Sequence, residues 1–236
     1  MQNYCKLIGA LAAASALVAG TASAEVEYEI HGGYSSMYLF RGLDLGDDLV
    51  EVGIDVAGEW NGLGLSAGAW YGSFANGPFN TDFDELDLYA EASRDFGFMT
   101  GAVGYIYYDN LRALGSNAHE VYFSVAKEIF GLDTSLTYFW DIEGDNDGYT
   151  EAYIGKSFEL SPCLTLNTGG TLAYVVEQSE FAHFTARVSL DWAFTETATL
   201  SPFIAASWGL ADSGTSGAYR NVGDEFLGGT MLSVSF

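Results

Sequence analysis

The chain has 236 residues, with 32 acidic against 8 basic side chains and a formal charge of −24. Such an excess of carboxylates excludes a nucleic-acid partner, whose phosphates are held through Lys and Arg. A hydrophobic share of 49% and an aromatic share of 15% exclude a disordered acidic chain, because there is ample apolar surface to bury.

Residues 1 to 24 read as a cleaved signal peptide. Lys6 precedes an apolar stretch from Leu7 to Gly20, and Ala22-Ser23-Ala24 gives the small-x-small pattern ahead of Glu25. The apolar stretch is short for a membrane span, which needs about 20 residues. Cys5 falls in this leader and Cys163 is left as an isolated thiol in a short turn, so the exported chain is expected to have no intramolecular disulfide. Residues 25 to 236 read as one domain.

No stretch after Glu25 is long and apolar enough for a transmembrane helix. A barrel strand, however, needs only about 9 to 11 residues and shows alternation instead of a run. Alternation is abundant. Val50, Val52, Ile54, Val56 and Trp60 interleave with Glu51, Asp55 and Glu59, while Leu86, Leu88 and Ala90 interleave with Glu85, Asp87 and Glu91. Val121, Phe123 and Val125 face away from Glu120 and Tyr122, and Phe184, Val188 and Trp192 face away from His183, Arg187 and Asp191. One face of each strand is apolar and the other polar or acidic.

The pattern predicts twelve strands, at 27–41, 50–60, 63–74, 85–94, 98–108, 119–129, 132–142, 149–159, 164–176, 183–192, 198–210 and 225–236. The phase of the third and fifth stays open, because Gly, Ala and aromatic residues occupy both faces around Trp70 and Tyr105. Short turns such as Asn61-Gly62 and Phe130-Gly131 are expected on the periplasmic side. Longer polar loops at 43–49, 75–84, 109–118, 143–148, 177–182 and 211–224 are expected outside. Together these predict an all-β fold, a transmembrane antiparallel β-barrel of about twelve strands. A soluble β-sandwich shares the alternation. It does not explain the regular hairpin repeat, the large aromatics at the ends of the apolar face, or a terminal Phe after an export signal.

Trp60 and Trp192 are expected at the inner membrane interface, Trp140 and Trp208 at the outer one. Arg94, Lys127 and Lys156 share the apolar parity near the inner end, where they can snorkel to phosphates. Pro202 interrupts the eleventh strand and predicts a bulge. The final strand ends in Phe236 on the apolar face, the C-terminal signal through which outer-membrane barrels engage the barrel-assembly machinery. The outer surface is expected to meet outer-membrane lipid and lipopolysaccharide.

The polar parity points the other way, toward a lumen. Glu51, Asp55, Glu59, Glu85, Asp87, Glu91, Glu120, Glu151, Arg187 and Glu225 are the predicted pore-lining residues. A monovalent cation about 8 Å from four carboxylates gains roughly 2 kcal/mol in a water-like dielectric, about half of it after physiological screening. This biases the lumen toward cations without excluding neutral small solutes. The sequence therefore predicts an outer-membrane porin-like channel for passive diffusion, weakly cation-preferring. The alternatives are a closed structural barrel presenting acidic loops, and a lipid-modifying barrel enzyme.

No catalytic residue, cofactor or metal centre is predicted. His31 and His183 carry the lumen parity as polar filling or carboxylate partners. His119 has the lipid parity at an outer strand end, where a phospholipid-cleaving site could sit, but Val121 shares its face where a hydroxyl would be needed. The loop Glu143 to Gly148 resembles the first half of an EF-hand loop, yet Ile154 stands where the bidentate Glu belongs. Asp44, Asp47 and Asp48 are further acidic residues of the outer side.

Ser36-Met37-Tyr38-Leu39-Phe40-Arg41-Gly42, at the top of the first strand, resembles the S-x-Y-x-F-R-G segment of the TorF family of porins. The resemblance implies an outer-membrane β-barrel with a pore function. On physical grounds Arg41 is expected to pair with Asp44 or Glu51 and pin the first long loop, while Gly42 permits the turn.

Overall fold

The computed structural model describes residues 26–77, 81–111, 117–143, 148–211 and 222–236. The expected signal peptide, and residues 144–147 of the EF-hand-like loop, lie outside the described residues.

Twelve strands form one closed antiparallel barrel in which every strand pairs with its sequence neighbours and the first closes on the last. They are β1 (Glu27–Phe40), β2 (Leu43–Trp60), β3 (Leu63–Gly77), β4 (Thr81–Asp95), β5 (Thr100–Asn110), β6 (Ala118–Ile129), β7 (Leu132–Asp141), β8 (Tyr149–Ser161), β9 (Leu164–Val175), β10 (Glu180–Ala193), β11 (Ala198–Gly209) and β12 (Glu225–Ser235). Along the paired length of the seam, closure leaves no free sheet edge. The seam runs from Glu29 opposite Ser235 to Ser35 opposite Gly229.

Alternation is realised as a lipid-type outer face. Val50, Ile204 and Phe226 are 58%, 52% and 69% exposed, and Val52, Ile54, Leu88, Phe123, Leu136, Ile154 and Leu232 are exposed with them. A soluble chain does not leave so continuous an apolar surface in water. Trp60, Trp140, Trp192 and Trp208 all lie exposed on this face, as do Arg94, Lys127 and Lys156. The two open phases are settled: Trp70, Gly72 and Phe74 of β3, and Gly104, Ile106 and Tyr108 of β5, are buried on the inner face.

Two expected loops need correction. Residues 43–49 are the first part of β2 and not a loop, so β1 and β2 meet in a two-residue turn, Arg41-Gly42, with φ of 51° and 78°. Asn61-Gly62 and Phe130-Gly131 repeat these paired positive angles, the mirror-image turn that matches strand twist and favours Gly in the second place. The sequence misleads here because Asp44, Gly46 and Asp47 look like loop residues, yet their backbones continue the ladder with β1. Similarly, β3 and β4 extend into the loop expected at 75–84.

Pro202 marks no bulge. The β11–β12 register runs through it opposite Thr230 without a shift. On the β10 side the register is the same on both sides of the proline, with Ser189 opposite Phe203 and Trp192 opposite Leu200. The missing donor thus leaves a gap between those pairs without displacing the strand.

Candidate functional site: the barrel interior

The interior divides into two halves. In the half away from the chain termini it is packed with side chains. Ile106, Tyr108, Phe139, Tyr149, Ala173, Val175 and Ala182 form one buried cluster against Phe40; Tyr38, Leu49, Trp70, Phe74 and Phe83 form a second, also touching Phe40.

The tip of the β1–β2 hairpin joins them. From Ser36 onward β1 has no ladder partner on β12 but stays paired with β2 to Phe40 opposite Leu43. Register shifts between Tyr38 and Leu39 on one side of β2, and between Asp47 and Val50 on the other, bend the hairpin. The tip then reaches the far wall. Both Nη atoms of Arg41 donate to the two carboxylate oxygens of Glu120 on β6 at 2.7 Å, a bidentate pair of the strong kind. The guanidinium lies 4.9, 4.4 and 4.7 Å from the ring centres of Phe40, Phe139 and Tyr149. Gly42 sits against His183 of β10, where a Cβ would overlap the imidazole.

Glu120 also accepts from Tyr108 Oη at 2.8 Å, and Tyr149 Oη lies 2.9 Å from His183 Nε2, whose ring continues through Nδ1 to Thr185. The expected partners of Arg41 are engaged elsewhere: Asp44 Oδ1 accepts from the Gly46 amide at 3.0 Å, and Glu51 from Trp70 Nε1 at 2.6 Å. Asp47 and Asp48 take up Asn76 and the Tyr34 hydroxyl.

From mid-barrel toward the termini, large inward rings lie over glycines of the wall, two of them, Tyr89 and Tyr122, also packing against the clusters above. Tyr89 covers Gly68, Tyr122 covers Gly104 and His31 covers Gly53, in each case the residue directly opposite on the adjoining strand. Tyr153 covers both Gly155 and Gly169. A Cβ at any of these glycines would overlap the ring, so glycine is what lets each ring lie along the wall.

Most predicted pore-lining carboxylates meet aromatic donors. Asp55 accepts from Tyr89 Oη at 2.5 Å, Glu91 from Tyr122 Oη at 2.8 Å, Glu151 from Tyr149 Oη at 3.0 Å and Glu85 from Tyr38 Oη at 3.4 Å. A phenol satisfies a carboxylate without neutralising it, whereas Arg41 cancels Glu120. Asp87 is half-buried, with one carboxylate oxygen enclosed and unbonded. Arg187 sits 3.7 Å from the centre of the Phe203 ring. Glu59 is exposed at the terminus-end rim, and Glu225 is half-buried at the start of β12.

Sequence reasoning missed one cluster in this half: Glu29, His31 and Asp55 bring a donor atom each to within 4.8 Å of one another. The available signal was an acid and a histidine two residues apart on one face, facing an aspartate of the adjoining strand.

On the outer surface His119 contacts the Tyr105 hydroxyl through Nδ1, stacks 4.7 Å from Tyr107, and lies 3.6 Å from Glu143 Oε1. None of these partners is a serine-type nucleophile.

Comparison with solved structures places the architecture. The NanC porin is 15% identical and matches with a TM-score of 0.52, covering 88% of this chain and 98% of that one. An outer membrane channel from Pseudomonas putida F1 is 12% identical with a TM-score of 0.59, covering 92% of this chain and 97% of the other. The fold is that of outer-membrane porins. The Salmonella typhi outer membrane phospholipase, crystallised as a dimer with bound calcium, also matches, at 16% identity and a TM-score of 0.51 over 89% of this chain and 90% of its own. The barrel architecture is thus shared by channels and an enzyme. No family model matches the sequence, and no curated protein matches it.

Proposed function

We propose that the chain is an outer-membrane porin-like channel for small solutes, weakly cation-preferring, whose outer mouth is closed by its own β1–β2 hairpin. One observation carries this reading: the interior is acidic toward the termini, while at the other end the inward-turned hairpin tip is latched to the far wall and packed round by rings of the other strands. The seven-residue resemblance to TorF porins coincides with this hairpin, from Ser36 to Gly42.

Planar-bilayer conductance with reversal potentials tests the proposal. The parent protein is expected to show small, cation-favouring conductance, and Arg41→Ala a larger one. Anion preference would overturn the charge argument.

A closed structural barrel is the second reading, favoured by the density of apolar side chains around Phe40. Absence of current in both the parent and Arg41→Ala would establish it. The enzyme reading draws only on the fold shared with a phospholipase, and the contacts of His119 give it no nucleophile.

A further inference from the structure

We propose that Glu29, His31 and Asp55 form a binding site for a divalent transition-metal ion of the Zn²⁺ class, on the inner wall beside the barrel seam. The site is built by register. Glu29 and His31 share the inner face of β1, and Asp55 is the direct cross-strand partner of Glu29 on β2. His31 Nδ1 lies 3.2 Å from Asp55 Oδ2 and 4.0 Å from Glu29 Oε1. Ligands on one ion with bonds of about 2.1 Å stand about 3 to 4 Å apart, so small side-chain rotations bring these donors onto a single centre.

The imidazole is what distinguishes this from an ordinary acidic patch. His31 is only 2% exposed, and neither of its ring nitrogens makes a hydrogen bond, although Nδ1 is aimed between two carboxylates. Its Nδ1 has ion-pair contact with the carboxylates but no hydrogen bond, an arrangement that a shared cation would satisfy.

The carboxylates are oriented for the same purpose. Tyr89 Oη donates to Asp55 Oδ1 at 2.5 Å, leaving Oδ2 toward His31; Ser235 Oγ donates to Glu29 Oε2 at 3.4 Å, leaving Oε1. Outer partners that fix ligating oxygens in this way are the usual support of a metal site. One imidazole with two carboxylates is a mixed N/O set, which suits Zn²⁺ or Mn²⁺, whereas Ca²⁺ and Mg²⁺ take oxygen ligands. Two carboxylate charges balance the ion. Because Ser235 belongs to β12, a bound ion would tie β1 and β2 to the last strand across the seam.

The test is calorimetric titration of ZnCl₂ into the refolded full barrel in detergent after EDTA treatment, in a Mg²⁺- and Ca²⁺-containing buffer. One saturable equivalent is expected, lost in His31→Gln and weakened at least about tenfold in Asp55→Asn. The parent's unfolding temperature should rise with Zn²⁺ while that of His31→Gln does not. His119→Gln, which alters the outer-surface histidine, should bind as the parent does. Folding of each variant is read from its heat-modifiable mobility in SDS. If His31→Gln fails to fold, Tyr89→Phe takes its place and should fold and bind several-fold more weakly, since it loses only the support of Asp55. Absence of saturable binding in the parent, or equal affinity in folded His31→Gln or Tyr89→Phe, would overturn the site. In that event His31 is an imidazolium held between two carboxylates.

Discussion

The two halves of the interior are made from the same strands and the same alternating pattern, yet they solve opposite problems. Away from the termini, inward positions carry Phe, Tyr and Ile that meet across the barrel, and the cation of Arg41 is enclosed among them. Near the termini, inward positions alternate rings with glycines, so each ring is absorbed by its neighbouring strand. Rings beside glycines occur in the packed half too, Trp70 over Gly72 and Phe83 over Gly77, so what fills that half is the hairpin tip and the rings gathered around it.

The contrast breaks most sharply at Glu120. Glu120→Ala removes the bidentate carboxylate from the buried Arg41 guanidinium, a loss of about 3 kcal/mol for the closed arrangement. The tip is expected to leave the lumen: conductance should rise several-fold, and trypsin should cleave after Arg41 where the parent resists. Unchanged protection at Arg41 would show that the aromatic contacts hold the tip alone.

Next comes the opposite half. Gly104→Val places side-chain atoms where the Tyr122 ring lies, lifting it off the wall and breaking its bond to Glu91. The expected cost is about 1–3 kcal/mol in urea unfolding, with lower conductance, the reverse of Glu120→Ala. A smaller effect follows from charge alone. Glu51→Gln with Glu91→Gln should lower cation preference by a few-fold, about 1 kcal/mol, read from reversal potentials. Smallest is Pro202→Val, which restores a ladder donor in the β10–β11 gap; a gain of about 0.5–1 kcal/mol in stability is expected, with conductance unaltered.

The fold was legible because a residue's face in a strand depends on its parity alone. All twelve strands, the acidic inner face around Glu51 and Glu85, and the outward tryptophans follow from local pattern. The path of the first hairpin was not legible. Asp44 to Asp48 carry loop chemistry inside a strand, and the bends in β2 arise from register shifts that no local composition announces. Arg41 was singled out correctly as an inward cation, but its partner is 79 residues away on the facing wall. Parity gives the face of a side chain, never its reach across a cylinder. The cluster of Glu29, His31 and Asp55 stayed hidden for the same reason, since it exists only once Glu29 is known to face Asp55.

The way β1 parts from β12 has a mechanical consequence. Beyond Ser35 its ladder with β12 ends and a hydrogen bond of 3.2 Å runs from the Gly228 amide to Ser36 Oγ, while its ladder with β2 continues to the turn. The tip can therefore swing as a paired flap, hinged at the irregularities of β2, with its own backbone bonds intact. Its release needs the Arg41 latch to yield together with the packing of Met37 and Leu39 against Phe203 and Leu227.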